Sequence, residues 1–363
     1  MSYSFILSGG GTGGHIYPAI AIADALRVAY PDCAVLFVGA KNKMEMVKVP
    51  QAGYAIEGLN ITGLDRKLSI RNLWLPFRWW LSTERSYEIL HTFKPDLVIG
   101  TGGFASAPLL YAASRKKIPF VLQEQNAYAG LVNKWLAPKA KVVCVAYDNM
   151  QRYFKKSRIE LTGNPVRPSL LNLFASREEA ARHFRLDPNR KVILLIGGSL
   201  GSARMNSWMA EYLNRLTDKG YQLLWQCGPR YFETYEFYES ERVRVTSFIE
   251  RMDLAYALCD AVISRSGAGA VSELAILGKP TLFIPSPNVA EDHQTKNALA
   301  LTEVGAALLL READMNRDTE MLLQQLVDEV DQPSGMGDRF KESARPHAAQ
   351  EIVELIKEIL HER

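Results

Sequence analysis

Three glycine-rich runs carry the first chemistry in this chain: Gly9-Gly10-Gly11-Thr12-Gly13-Gly14-His15, Gly100-Thr101-Gly102-Gly103 and Gly197-Gly198-Ser199-Leu200-Gly201. Glycine lets the main chain come close to a ligand. A helix that starts behind such a run offers unpaired N–H groups and a positive dipole end. A single run of this kind also suits a ligand-free tight turn; three in corresponding places point to bound phosphate. His15 closes the first run. A helix start favours its neutral imidazole, so it could take a proton from an attacking hydroxyl, or it could hydrogen-bond a bound phosphate. Glu124 is the second candidate base.

A fourth stretch reads Ser264-Arg265-Ser266-Gly267-Ala268-Gly269-Ala270-Val271-Ser272-Glu273. Small residues fill the turn, and a carboxylate arrives one turn into the next helix. Glu273 could accept from both hydroxyls of a ribose, or merely complement the helix dipole. Gln294 and Asn297 share a helix face, where amides could read sugar hydroxyls or simply begin a polar helix. Gly9, Gly11 and Gly14 fit G-x-G-x-x-G, but a dinucleotide site also needs an acid at the end of the second strand. That strand ends Phe37-Val38-Gly39-Ala40-Lys41, which disfavours a dehydrogenase. No G-x-x-x-x-G-K-[ST] run occurs, which excludes a P-loop kinase.

Rigid elements must position these residues. Phe5–Leu7, Val35–Val38, Leu97–Ile99, Phe120–Leu122 and Val142–Val145 read as buried strands, separated by helical stretches such as Pro18–Tyr30 and Ala105–Arg115. Gly163-Asn164-Pro165-Val166-Arg167-Pro168 breaks the pattern. Strands then resume at Val192–Ile196, Leu223–Trp225, Val243–Thr246, Ala261–Ile263 and Thr281–Ile284. The alternation predicts an α/β fold of two Rossmann-like parallel-sheet domains facing across a cleft. The boundaries are 1–163 with a C-terminal helix at 344–363, a hinge at 164–168, and 169–343. A last helix over about 340–361 is expected to pack back on the first domain.

The length of 363 residues suits two domains. A 47% apolar and 23% charged composition is that of a globular protein, and a net charge of +3 calls for no nucleic-acid partner. The N-terminus reads as a first strand rather than a leader, and no run of apolar residues is long enough to span a bilayer, so a cytoplasmic protein is expected. Cys33, Cys144, Cys227 and Cys259 lack Cys-x-x-Cys spacing and read as buried, reduced thiols. The stretch from Arg66 to Leu81 holds three of the six tryptophans and four basic residues without an acid. Leu73, Trp74, Phe77, Arg78, Trp79 and Trp80 suit the headgroup region of an anionic bilayer, or a core helix with basic ends.

In order along the chain, Gly10–His15, Gly102-Gly103-Phe104, Glu124-Gln125-Asn126, Gly163–Arg167, Gly197-Gly198-Ser199, Ser266–Glu273 and Asp292-His293-Gln294 with Asn297 resemble the MurG family. These are bacterial N-acetylglucosaminyltransferases that convert lipid I to lipid II in peptidoglycan synthesis. The resemblance covers essentially the whole chain. It implies a GT-B fold whose second domain holds most of the donor, UDP-N-acetylglucosamine. Ser199 would then meet donor phosphate and the Ile249 backbone would meet uracil. Ala268, Gly269, Ala270, Val271, Ser272 and Glu273 would cradle the nucleotide, with Glu273 on the ribose and Gln294 and Asn297 on the sugar. Thr12, Gly13, Gly14, Asn126 and Arg167 match the family's remaining donor-side contacts. Gly10, Gly11, Gly102 and Gly103 would take the acceptor diphosphate. The chain departs from the family at Leu200, Phe104 and Gly269-Ala270, where Gln, Tyr and Leu-Thr are frequent. The first two changes remove polar side-chain contacts and leave backbone contacts.

The implied reaction is an inverting transfer to the 4-hydroxyl of the muramoyl sugar. Asp-x-Asp, which holds a metal in many glycosyltransferases, is absent from the chain. Helix starts behind 197–199 and 267–273, with Arg167 assisting, must therefore stabilise the leaving diphosphate, and neither a metal nor another cofactor is expected. The implied acceptor is undecaprenyl-linked lipid I, which never leaves the membrane. Peripheral binding to the cytoplasmic leaflet of the bacterial inner membrane through the first domain follows. The rival readings are a UDP-N-acetylglucosamine epimerase on the same scaffold and a non-catalytic nucleotide-sugar binding protein.

Overall fold

The computed structural model describes residues 3–63, 74–166, 175–289 and 292–362. Leu73 and Arg167 lie outside them. The chain divides into two compact units, Met1–Arg167 with Arg345–Arg363, and Pro168–Ala344.

The first unit alternates strand and helix: β1 (Ser4–Gly9), α1 (Gly13–Ala29), β2 (Ala34–Ala40), α2 (Glu45–Gln51), β3 (Ala55–Leu59), α3 (Leu75–Phe93), β4 (Leu97–Gly102), α4 (Ala107–Arg115), β5 (Phe120–Glu124), α5 (Leu131–Leu136), β6 (Val142–Val145) and β7 (Ile159–Leu161). The strands pair in parallel in the order β3-β2-β1-β4-β5-β6-β7. Chain direction through the sheet reverses between β1 and β4. The crevice beyond the carboxyl ends of those two strands is the place where such a sheet binds ligands.

The second unit contains α6 (Arg177–Phe184), β8 (Val192–Ile196), α7 (Ala203–Thr217), β9 (Gln222–Gln226), α8 (Phe232–Tyr235), β10 (Val243–Thr246), α9 (Met252–Leu258), β11 (Ala261–Ser264), α10 (Ala268–Leu277), β12 (Thr281–Phe283), α11 (His293–Thr302), β13 (Leu308–Leu309), α12 (Met315–Asp331) and α13 (Met336–Glu342). Its parallel order is β10-β9-β8-β11-β12-β13, with the reversal between β8 and β11.

The last stretch is two helices rather than one. It breaks after α13, where Pro346 cannot continue a helix, and restarts as α14 (Ala348–His361). α14 belongs to the first unit. Its Ile352, Val353, Ile356 and Leu360 join Ile16, Ile22 and Leu26 of α1 in one buried cluster with Phe5 and Leu7 of β1. Each such side chain contributes about 1.5–3 kcal/mol on burial. Asn164, expected in the hinge, is instead buried in the first unit. It accepts from Gln123 Nε2 at 2.8 Å and donates to the Gln125 carbonyl at 3.0 Å. All four cysteines are free thiols, and Cys33 is only half-buried. Burial pushes Cys144 and Cys259 up to about 12.

Candidate functional site

In the second unit, two turns meet at the β8/β11 reversal. The first leaves β8 through Gly198 at a φ of +91°, and a side chain there would meet nothing within 4 Å. The turn therefore keeps an open face. It is held from behind by an amide at the end of β9. Gln226 Nε2 donates to the Gly198 carbonyl at 3.0 Å, and Gln226 Oε1 accepts from Ile249 N at 2.9 Å. Ile249 thus has its N–H engaged within the protein. Ile249 and the half-exposed Phe248 also line a cavity of about 400 Å³ with Arg244 and Glu250. Ser199 is exposed on the turn.

The second turn follows β11. Arg265 there is nearly buried and donates to the Ile284 carbonyl at 2.9 Å, Ser202 Oγ at 2.5 Å and Glu312 Oε1 at 2.6 Å. Ser202 Oγ in turn caps α7 by accepting from Met205 N at 3.3 Å. One guanidinium therefore locks the start of α7 to the turn that precedes α10. Gly269, in the first turn of α10, has nothing within 4 Å of its missing side chain. Ala268 and Val271 are buried; Ala270 and Ser272 are half-buried, and Ser272 Oγ donates to the Ala268 carbonyl at 3.0 Å. Glu273 is half-buried, and Tyr256 Oη donates to its Oε2 at 3.0 Å.

Gln294 Oε1 accepts from Ser286 N at 2.9 Å. Asn297 does not share that position. It is wholly buried, and its Nδ2 donates to the Ser266 carbonyl at 3.2 Å. It ties α11 to the turn that precedes α10.

The β1/β4 crevice of the first unit is built differently. Glu45, the first residue of α2, is fully buried under the first glycine run. Its Oε2 accepts from Gly11 N at 3.0 Å and its Oε1 from Ala40 N at 3.0 Å. A side chain on Gly10 would fall 2.2 Å from Glu45 Oε1, and one on Gly11 would fall 3.0 Å from the Phe104 ring. Gly11 therefore cannot also offer its N–H to a diphosphate. Glu45 also supplies the acid that β2 itself lacks, but with both oxygens on main-chain N–H groups it is no ribose ligand.

His15 lies in the first turn of α1. Its Nδ1 is 3.1 Å from Thr12 Oγ1, and its carbonyl accepts from Thr101 Oγ1 at 2.8 Å. Side chains on Gly102 and Gly103 would stand 3.2 Å from His15 Cδ2 and 3.3 Å from His15 Nδ1. Both glycines have positive φ, so the β4 turn closes onto the imidazole only because it lacks side chains. Gly13 sits against Tyr17, and Gly14 has no neighbour closer than 3.7 Å.

Glu124 is buried at the end of β5. Its Oε1 accepts from Asn126 N at 3.1 Å and from Asn126 Nδ2 at 3.4 Å; its Oε2 accepts from Gly130 N and Asn133 Nδ2, both at 2.9 Å. Burial pushes its carboxyl above the ordinary range against the pull of those donors. Glu124 fastens the loop that carries Asn126, and its lone pairs are already engaged.

Glu45, Gln226 and Arg265 went unnoticed in the sequence. Arg265 had a signal, a lone long cation in a turn of small residues. Glu45 and Gln226 had none, because their partners come from other loops.

In the aromatic segment, Trp74, Phe77 and Trp80 are more than half exposed. Trp79 points the other way. It packs on Tyr111 and Trp135 at ring distances of 5.8 Å each. Arg78 donates to Thr62 Oγ1 at 3.1 Å. Trp135, on α5, is 49% exposed and extends the aromatic surface beyond the stretch singled out in the sequence. No described helix is long and apolar enough to cross a membrane.

Residues 5–145 match the glycosyltransferase family 28 N-terminal domain, and residues 192–358 match the glycosyltransferase family 28 C-terminal domain. A UDP-N-acetylglucosamine–N-acetylmuramyl-(pentapeptide) pyrophosphoryl-undecaprenol N-acetylglucosamine transferase of Flavobacterium psychrophilum is 52% identical, over 98% of this chain and 97% of its own. The crystal structure of Acinetobacter baumannii MurG superposes with a TM-score of 0.78 at 29% identity, covering 99% of this chain and 100% of that one. A UDP-N-acetylglucosamine 2-epimerase, 15% identical, superposes at 0.66 over 100% of this chain and 98% of its own, which shows the shared fold alone. The chain belongs to glycosyltransferase family 28 and, within it, to the MurG family of N-acetylglucosamine transferases.

Proposed function

We propose that this enzyme moves N-acetylglucosamine from UDP-N-acetylglucosamine to the 4-hydroxyl of the muramoyl sugar in undecaprenyl-pyrophosphoryl-MurNAc-pentapeptide, turning lipid I into lipid II in peptidoglycan synthesis. The observation that carries this is the full-length match to transferases of that name. The open cradle at the β8/β11 reversal supports it. Diphosphate placed over Gly198 and Ser199 meets the starts of α7 and α10, where free N–H groups and two dipole ends oppose the charge that grows as UDP leaves. Glu273, steadied by Tyr256, takes the ribose. The Ile249 carbonyl takes a base N–H, and Gln294 reads the sugar. This arrangement uses no metal.

On the first unit, His15 is the base. With Thr12 Oγ1 accepting from Nδ1–H, Nε2 carries the lone pair that removes the attacking proton. Gly102, Gly103 and Gly14 border the acceptor diphosphate. The exposed Trp74, Phe77 and Trp80, with Trp135, rest on the cytoplasmic leaflet, so binding is peripheral.

The test is UDP release from UDP-N-acetylglucosamine with and without a lipid I analogue, in the presence of chelator. Release that requires the analogue and survives chelator is expected, with His15→Ala lowering turnover about 100-fold or more. Release without acceptor, together with an epimerised sugar, would make it an isomerase. UDP-sugar binding with no release under either condition would make it a sensor.

A further inference from the structure

One cluster of the first unit has no role in the reaction as derived above. Lys134, in α5, holds its ammonium 4.7 Å from the centre of the Tyr128 ring and 5.8 Å from that of Tyr153. Arg152 places its guanidinium 4.9 Å from the same Tyr153 ring and donates to the Ala127 carbonyl at 3.4 Å. The two tyrosines pack edge to face at 5.1 Å. Two cations thus lie against one ring, and among the described residues neither forms an ion pair. Aromatic faces hold cationic heads in place without neutralising them. Two cations held on the same ring form a local positive site suited to an anion.

Their position in the fold says which anion. The Ala127–Tyr128 loop leaves the carboxyl end of β5, fastened by Glu124 through Asn126 N and Gly130 N. Arg152 and Tyr153 follow the carboxyl end of β6. Asn133, the neighbour of Lys134, has its Nδ2 3.5 Å from where a Gly102 side chain would begin. The helix and the loop that carry the cluster therefore lie beside the β4 glycine turn at the ligand-binding edge of the sheet.

We infer that Lys134 and Arg152 bind a carboxylate of the acceptor's peptide and make the enzyme selective for peptide-bearing acceptor. The inference rests on the transferase reading. In a muramoyl sugar the peptide hangs from the lactyl ether at C3, next to the attacking hydroxyl at C4, so it must leave the reaction centre along the rim of this crevice. An extended pentapeptide reaches about 16 Å and ends in a carboxylate. A planar guanidinium takes that group through two parallel hydrogen bonds, and an adjacent ammonium adds a third.

Initial rates with two lipid-linked muramoyl diphosphates test this, one carrying the pentapeptide and one carrying the same peptide amidated at its carboxylates. For the wild type, KM should favour the first, and the preference should shrink as salt rises. K134Q/R152Q should raise KM for the first about tenfold, with kcat and KM for the amidated acceptor each within about twofold. R152K should keep most of the preference. Should the double variant lose its near-ultraviolet circular dichroism, R152Q alone, changed at an exposed side chain, carries the test with an expected rise of about threefold. An equal rise of KM for both acceptors, or no rise for either, overturns the inference. A wild type inert towards both acceptors overturns the transferase reading and takes this inference with it.

Discussion

Beneath Gly9–Gly14 lies a buried carboxylate, and behind Gly197–Gly201 lies a neutral amide. The two turns leave corresponding strands of corresponding sheets, yet Glu45 occupies the space a Gly10 side chain would need, while Gly198 faces open space. In the first unit the glycines serve packing within the protein. They let Glu45, Phe104 and His15 close against the main chain. In the second unit Gly197 and Gly201 are closed in as well, by Ser202 and by the Cys227 carbonyl, but Gly198 between them keeps an open face with its anchoring amide behind it. A glycine run marks close approach, and only the structure says whether another part of the chain or a ligand makes that approach.

The largest expected effect tests the strut of the open cradle. Arg265→Ala leaves Glu312 nearly buried and unpaired and frees the Ser202 hydroxyl, which should cost about 3 kcal/mol in denaturant unfolding and raise KM for UDP-N-acetylglucosamine. In the packed turn, Gly10→Ala should cost about 2 kcal/mol, because Glu45 must break its bonds to make room. Glu45→Ala added to it should give a double mutant more stable than the two single losses predict. If the losses simply add, the packed-turn account is wrong. Gly198→Ala meets no neighbour and carries only backbone strain, about 1 kcal/mol. Its stability loss should be smaller than that of Gly10→Ala by calorimetry. Smallest of all, Gly269→Ala, in a helix with open space beside it, should stabilise by about 0.5–1 kcal/mol with donor KM within about twofold.

Much of the fold was legible because buried parallel strands are continuous apolar runs. Val142–Val145, Val192–Ile196 and Val243–Thr246 begin and end where their sequences do. β3, β7 and β13 escaped notice. The first carries Glu57 and Gly58, the second Glu160, and the third is two residues long. At the site, the glycine runs, His15 and Glu273 stood out by type and spacing. The burial of Asn297 and the inward turn of Trp79 did not, since helical periodicity assigns a face but not what covers it.

The return of α14 to the first unit has a consequence during synthesis. The first unit is translated almost entirely before the second, yet the cover for Ile16, Ile22 and Leu26 emerges from the ribosome only after the second unit has been made. The second unit, one unbroken stretch of chain, can finish folding while that apolar face of α1 is still bare. Loss of α14, whether by a premature stop codon or by a protease, would leave the chain with a sticky surface and send it towards aggregation.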